Sequence, residues 1–186
     1  AWWNLNVQLS YWSVYPSNRL ELGMPLVDAI GNNLDNLINN VPEPYRKDAA
    51  ALPVATDFTL TGATVNVPGT EKKAQVGNLT WICHNLWLQY RFSMDESILR
   101  NTLYPTLRRA VNFYLPFLTE DKSGKLHLKR TYSPEYGTAE DCNYDIALLR
   151  WGCNTLLEAS RILSVDDELI PRWKLSLIHI SEPTRP

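Results

Sequence analysis

The chain has 186 residues, enough for one ordinary domain with a sizeable core. A formal net charge of −2 gives no electrostatic footprint for nucleic acid, and the longest apolar runs fall short of a membrane span, so neither partner is expected. Seven Trp and nine Tyr stand out, a usage that suits a packed core and equally the faces of sugar rings.

The chain opens on AWWNLNVQLSYW, where apolar positions from Leu5 to Tyr15 predict a helix that Pro16 must end or follow. Leu26, Ile30, Leu34, Leu37, Ile38 and Val41 recur at helical spacing after Pro25, with asparagines on the other face. From Pro42 to about Gly77 the chain is Pro- and Gly-punctuated, and FTLTGATVNV alternates as a short hairpin would. Irregular segments of that length in a compact domain are often functional. NLTWICHNLWLQYRFS predicts a buried helix. A second helix follows, capped by Asp95 or Ser93, with an apolar stripe through Leu99, Leu103, Leu107, Val111, Tyr114 and Leu118 and a kink expected at Pro105. EDKSGKL is a turn, with Gly124 at a left-handed position. LHLKRTYSPEYGTAEDCNY is a loop, DIALLRWGCNTLLEASRIL a strong helix, and SVDDELIPRWK a cap and the next helix start. Long helices joined by alternating short turns and elaborate loops suit an all-α toroid, a bundle or a repeat, although no repeat period is visible.

LSLIHISEPTRP, residues 175–186, does not continue the preceding pattern and resembles a translated library-adaptor scar. It is set aside, together with His179, which leaves 1–174 as part of a larger domain. Cys83, Cys142 and Cys153 fit no zinc spacing and read as small buried hydrophobes. His84 and His127 lack ligand spacing as well, so no metal or cofactor is expected, and His84 reads as a core or rim histidine. Asp141, Asp145 and the Asp166–Asp167 pair read as caps.

Two stretches carry candidate chemistry. In TYSPEYG, Glu135 follows Pro134, which stiffens the residue before it, and lies between Tyr132 and Tyr136. Aromatic walls would desolvate such a carboxyl and make it a general acid; a solvated loop glutamate is the other reading. Asn4 and Asn6 point about 200° apart on a helix and share a face if extended, where both carboxamides could hold one water or sugar hydroxyl; capping by Asn4 is the other reading.

Taken in order, NLNVQLSYW (Asn4 to Trp12), NLTWICHNLWLQYRFSMDESIL (Asn78 to Leu99), LYPTLRRAVNFYLPFL (Leu103 to Leu118), YSPEYG (Tyr132 to Gly137) and the Asp145–Leu163 helix resemble the catalytic domain of glycoside hydrolase family 95, the inverting α-L-fucosidases and α-L-galactosidases. The resemblance implies part of an (α/α)6 barrel whose end loops form a sugar pocket, and an oligosaccharide or polysaccharide substrate. It implies Glu135 as the proton donor, and Asn4 and Asn6 as holders of the attacking water beside an aspartate beyond Lys174. On that reading the fragment alone is inactive. Trp2, Trp3, Trp12, Tyr132 and Tyr136 are the implied pocket walls. Three positions depart from the family pattern: Trp2 stands where a fucose-touching histidine is usual, Leu88 in WLQY replaces a sugar-binding glutamate, and SPEN has become SPEY. The sugar therefore stays open, as does the alternative of a non-catalytic carbohydrate-binding or scaffold toroid. The compartment is open too, with export a common trait of enzymes of this kind.

Overall fold

The computed structural model describes residues 1–180, with the backbone alone at 178 and 179. The fold is helical in the main. α1 (Asn6–Trp12) lies on the central helix α4 (Asn78–Ser93). Between them, α2 (Met24–Asn32) and α3 (Leu34–Asn39) occupy the stretch expected as one helix, with Leu26, Ile30 and Leu37 buried. The break is at Asn33, whose φ of −123° and ψ of 24° leave helical space. Its side-chain amide turns back to the Ala29 carbonyl at 2.8 Å, a local bond that competes with the helix ladder.

The asparagine face of this pair is only in part solvated: Asn32 and Asn39 are exposed, while Asn36 and Asn40 serve the loop beside them. Asn36 Nδ2 donates to the Thr59 carbonyl (2.9 Å) and Asn40 Nδ2 to that of Leu60 (2.8 Å), while Asn40 Oδ1 accepts the Gly62 N–H (3.2 Å). These contacts account for a failed expectation: residues 58–67 form no hairpin. Thr56 and Gly62 make one isolated bridge, and the Asp57 carboxylate bends the chain by accepting from the N–H groups of Thr59 (2.8 Å) and Thr61 (3.0 Å). Side-chain amides of α3 satisfy backbone groups that a partner strand would otherwise take. Alternating Thr and Val suits a loop laid along a helix as well as a strand.

α4 is buried on most sides, and its polar positions are structural. Asn78, Asn85 and Gln89 fall on one face and donate to the backbone carbonyls of Leu52 (3.2 Å), Gln8 (3.0 Å) and Leu20 (2.9 Å). Asp95 caps α5 (Glu96–Ile98) by accepting the Ser97 N–H at 2.9 Å. A π-helical turn, Leu99–Leu103, then leads into α6 (Tyr104–Tyr114). Pro105 has no N–H to offer the carbonyl four residues back, and the wider turn lies where that bond is missing, so the expected kink takes this form.

α7 (Asn143–Leu163) packs on α6 and on α8 (Ile170–His179). Arg108 of α6 bonds Asp167 (Nε–Oδ2 2.7 Å) in the α7–α8 connection, and also Asp48. Trp173 of α8 is fully buried, so the segment set aside from Leu175 begins inside a helix; 181–186 lie outside the described residues. Between α6 and α7 the chain makes two antiparallel hairpins where a turn and a loop were expected: β1 (Leu118–Glu120) with β2 (Leu126–Leu128), and β3 (Thr131–Ser133) with β4 (Gly137–Ala139). Three residues per strand are too few for alternation to register. Gly124 is left-handed, as expected. The three cysteines are buried and free.

Two predictions test this packing. A Cβ added at Gly152 would lie 2.6 Å from Val111 Cγ2, so α6 and α7 approach too closely there for alanine. Gly152→Ala should lower stability in denaturant unfolding by up to about 2 kcal/mol, an overpacking cost of about 1–3 less roughly 1 gained in helix propensity; a midpoint raised as helix propensity alone would raise it would contradict the close approach. His127 bonds Asp141 through Nδ1 (2.6 Å) and Asp121 through Nε2 (3.3 Å), and these carboxylates raise its pKa above the ordinary value of 6.5. A raised folded pKa stabilises fully below the unfolded value and loses that contribution as pH rises through the folded one. Melting temperatures should therefore show His127→Gln weakest relative to the parent near pH 5.5, with the gap closing toward pH 8.5.

Candidate active site

The amino-terminal candidates form one group. Trp2 pairs with Ala55 in an isolated bridge and is 56% exposed. Trp3 is buried, its N–H donating to the Val54 carbonyl (2.7 Å) and its indole Nε1 to Thr56 Oγ1 (2.8 Å), so it supports the segment from within the core. α1 is capped by Leu5 at φ −179° and ψ −49°, with no side-chain cap. Asn4 is thus free of the capping role. It is buried, and its Oδ1 has no hydrogen-bond partner among the described residues, a state it shares with other buried amide oxygens such as those of Gln8, Asn78 and Asn85. Asn6, the first residue of α1, is exposed, so the two carboxamides differ in surroundings and stand on either side of the turn at Leu5. Trp12, at the far end of α1, is 43% exposed.

The second group is the β3–β4 hairpin. Ser133 pairs with Gly137, leaving Pro134, Glu135 and Tyr136 as its tip, closed by the Tyr136 N–H on the Ser133 carbonyl at 3.2 Å. Glu135 sits at φ 61°, in the left-handed region that costs a residue with a Cβ free energy and recurs at functional sites. Its side chain is exposed and makes no hydrogen bond or ion pair among the described residues. The aromatic walls expected from its neighbours are not there: Tyr136 is 95% exposed, and Tyr132 is half-buried under the Lys73 ammonium, 4.7 Å from its ring centre.

The long segment before α4 links the two groups. The Gly69 N–H donates to the Arg130 carbonyl (2.8 Å) and the Tyr132 N–H to that of Ala74 (2.9 Å). Asn78 then holds Leu52 and, two residues on, the Val54 carbonyl receives Trp3. Hairpin and amino-terminal segment are therefore tied to the same stretch at the start of α4. No hydrogen bond or ion pair joins Glu135 directly to Asn4 or Asn6 among the described residues.

Asp145 was read as a cap, and the structure gives it more. It stands in the first turn of α7, completely buried, and accepts the Tyr114 hydroxyl at 2.9 Å. Burial pushes its pKa up to about 7, against the Tyr114 hydrogen bond and the polar neighbours Thr131 and Cys142, which pull it down. The signal was in the sequence: Asp145 lies on the same helical stripe as Leu149, Cys153 and Leu156. His84 packs edge-on against Trp151 (ring centres 5.2 Å apart), and burial lowers its pKa, as a core or rim histidine requires. No cluster of metal-ligating side chains occurs among the described residues, and no helix there is long and apolar enough to cross a membrane. A cavity of about 340 Å3 lined by Tyr45, Asp48, Phe113 and Arg172, among others, contains none of the candidate residues.

The glycosyl hydrolase family 95 catalytic domain matches residues 1–185. The chain is 26% identical over 178 residues to Alpha-L-fucosidase 2 of Arabidopsis thaliana, covering 90% of this chain and 21% of that protein. It is 25% identical over 137 residues to Probable alpha-fucosidase A of Aspergillus niger, covering 72% of this chain and 17% of that protein. The chain thus spans about a fifth of the length of these curated relatives. With residues 1–185 of its length matched by the family's catalytic domain, the chain belongs to glycoside hydrolase family 95.

Proposed function

We propose that this chain is the part of an inverting glycoside hydrolase, built on an (α/α)6 barrel, that supplies its proton donor and its water-holding amides. The relatives' names point to α-L-fucosides; Trp2 and Leu88, at positions where the family usually reads the sugar with polar groups, extend the reading to α-L-galactosides and related glycans. The observation that carries the reading is a pairing of features. A left-handed, unpartnered glutamate stands at the tip of a hairpin, and a buried asparagine with an unclaimed carbonyl lies in a segment tied to the same end of α4.

The chemistry follows from these groups. Glu135, protonated, gives its proton to the glycosidic oxygen as the bond to the anomeric carbon breaks. A water attacks that carbon from the opposite face, held by the Asn4 and Asn6 carboxamides. It loses its proton to a carboxylate contributed by the rest of the polypeptide, because carboxamides orient water but are not bases. Inversion keeps acid and base roughly 6.5–9.5 Å apart, leaving room for the water. The walls that dry Glu135 then come from other parts of the polypeptide, with Trp2, Trp12, Tyr132 and Tyr136 as this chain's aromatic contribution and Trp3 behind them. Leu88 and Trp2 favour a second reading, a carbohydrate-binding toroid without catalysis, because they remove hydrogen bonds that hydrolases use for discrimination.

In the full-length polypeptide, Glu135→Gln should lower hydrolysis of natural linkages by roughly 10²–10⁴-fold, the usual worth of a general acid. Aryl glycosides with acidic phenols should lose far less, because their leaving group needs no proton. Asn6→Ala should slow both substrate types alike, by roughly 10²-fold, the scale of a misplaced reacting atom. Following the first-formed anomer by NMR should show β-sugar from an α-linkage. Parent-like rates for Glu135→Gln on natural linkages, or retention, would contradict the reading, and no turnover by the parent on any glycoside would favour the binding toroid.

A further inference from the structure

We propose that Asp141 is a positioning residue for the acid loop: bonded to both main-chain groups of Leu128 and to the ring of His127, it pins the exit of the β3–β4 hairpin to β2 and so aims Glu135 at the glycosidic oxygen. The proposal rests on the assignment of Glu135 as proton donor.

The hairpin cannot aim itself. Its strands are three residues long and its tip is closed by one backbone bond, and a two-stranded ribbon of this kind is marginal on its own. The direction of the tip is therefore set where the strands enter and leave the body. On the entering side, the Arg130 carbonyl accepts the Gly69 N–H and the Tyr132 N–H donates to the Ala74 carbonyl. On the leaving side, three residues, 140–142, separate β4 from α7, and Asp141 is the middle one. Its N–H donates to the Leu128 carbonyl (3.0 Å), and its Oδ1 accepts the Leu128 N–H (2.7 Å). The next residue, Lys129, sends its N–H to the Phe117 carbonyl on the β1 side (3.2 Å), so the Leu128 groups face the edge of β2 that β1 leaves open. Asp141 covers that edge.

The aspartate expected as a cap does not cap. α7 begins without a side-chain cap, and the Asp141 carboxylate turns back to β2 instead. Its second oxygen, Oδ2, lies 2.6 Å from His127 Nδ1, and the other ring nitrogen, Nε2, lies 3.3 Å from Asp121 Oδ2. Ionised carboxylates only accept, so the ring donates through both nitrogens. Asp121 is fixed in turn, its Oδ1 accepting the N–H groups of Ser123 (2.8 Å) and Lys125 (2.9 Å). An exposed ion pair alone contributes little. Here the bonds run on from the β1–β2 turn through β2 to the exit of the acid hairpin, and β1 itself follows the end of α6 by way of residues 115–117. Asp141 makes its bonds at φ 49°, a left-handed geometry that Asp and Asn adopt more readily than other residues with a Cβ. With entrance and exit both tied, the ribbon projects in one direction, and Glu135 at its tip inherits it.

The test uses the full-length polypeptide with Asp141→Gly, Asp141→Asn, His127→Ala, Glu135→Gln and the Asp141→Gly/Glu135→Gln double variant. Glycine permits the left-handed backbone while removing the carboxylate. If Asp141 acts through Glu135, Asp141→Gly lowers kcat on poor leaving groups by roughly 10²-fold, the scale of a misplaced catalytic group, with KM little changed and activated aryl glycosides nearly spared. Asp141→Asn, which keeps an oxygen for the Leu128 N–H and tolerates the same φ, recovers most of the loss. His127→Ala shifts the rates in the same sense by a smaller factor. The double variant loses little beyond Glu135→Gln, as residues acting as a unit do. Parent-like rates or a uniform loss across leaving groups from Asp141→Gly, or a fully additive double variant, overturns this proposal while leaving the acid assignment intact. A Glu135→Gln variant that shows no leaving-group dependence overturns both. Should Asp141→Gly not fold, His127→Ala, which leaves the Leu128 bonds in place, decides by the same leaving-group criterion.

Discussion

The fold depends on one repeated interaction, the donation of buried side-chain amides to backbone carbonyls of segments distant in the sequence. Asn78, Asn85 and Gln89 present three amides along one face of α4, and each takes a carbonyl from a different stretch: Leu52, Gln8 and Leu20. Asn36 and Asn40 do the same for Thr59 and Leu60, and Asn40 Oδ1 also accepts the Gly62 N–H. A buried backbone carbonyl left unpaired costs as much as a lost hydrogen bond. Amides at fixed helical positions fix where the loops run. The amino-terminal candidates lie beside stretches held in this way, through Leu52 and Gln8, while the β3–β4 hairpin is held by backbone bonds with Gly69 and Ala74.

Seen so, the site is assembled by two kinds of element. Rigid helices supply the frame: the close approach of α6 and α7 at Gly152 and the buried carboxyl of Asp145. Short loop pieces carry the candidate reacting groups: the turn at Leu5 that separates Asn4 from Asn6, and the hairpin tip that holds Glu135 at positive φ. Reactive groups carried on loops over a rigid scaffold are the common arrangement, because loops can adopt geometries that helices cannot. The exposure of Glu135 and Tyr136 fits a chain that spans about a fifth of its relatives' length, in which other parts of the polypeptide would complete the pocket.

Most helices were legible because their signals are local. α4 begins at Asn78 and ends at Ser93, the bounds that NLTWICHNLWLQYRFS suggested, and Asp95 caps as its type predicts. What escaped was non-local. The alternation in FTLTGATVNV looked like a strand, yet the partner that satisfied its backbone was a set of asparagines some twenty residues earlier. The two hairpins were hidden by their length, and Asp145 by the habit of reading an aspartate in a first helical turn as a cap, although its place on the apolar stripe showed that it would be buried. Glu135, Asn4 and Asn6 were legible as candidates through motif order; their differing burial depends on tertiary placement.

The account turns on Glu135 and the Asn4–Asn6 pair facing one sugar from opposite sides. A crystal structure of the full-length polypeptide with a non-hydrolysable glycoside measures this directly. The account predicts the Glu135 carboxyl within hydrogen-bond reach of the glycosidic heteroatom, and a water on the far face of the ring touching both carboxamides. A sugar bound away from the hairpin tip, or a Glu135 whose carboxyl still stands in open solvent beside a filled pocket, would contradict it.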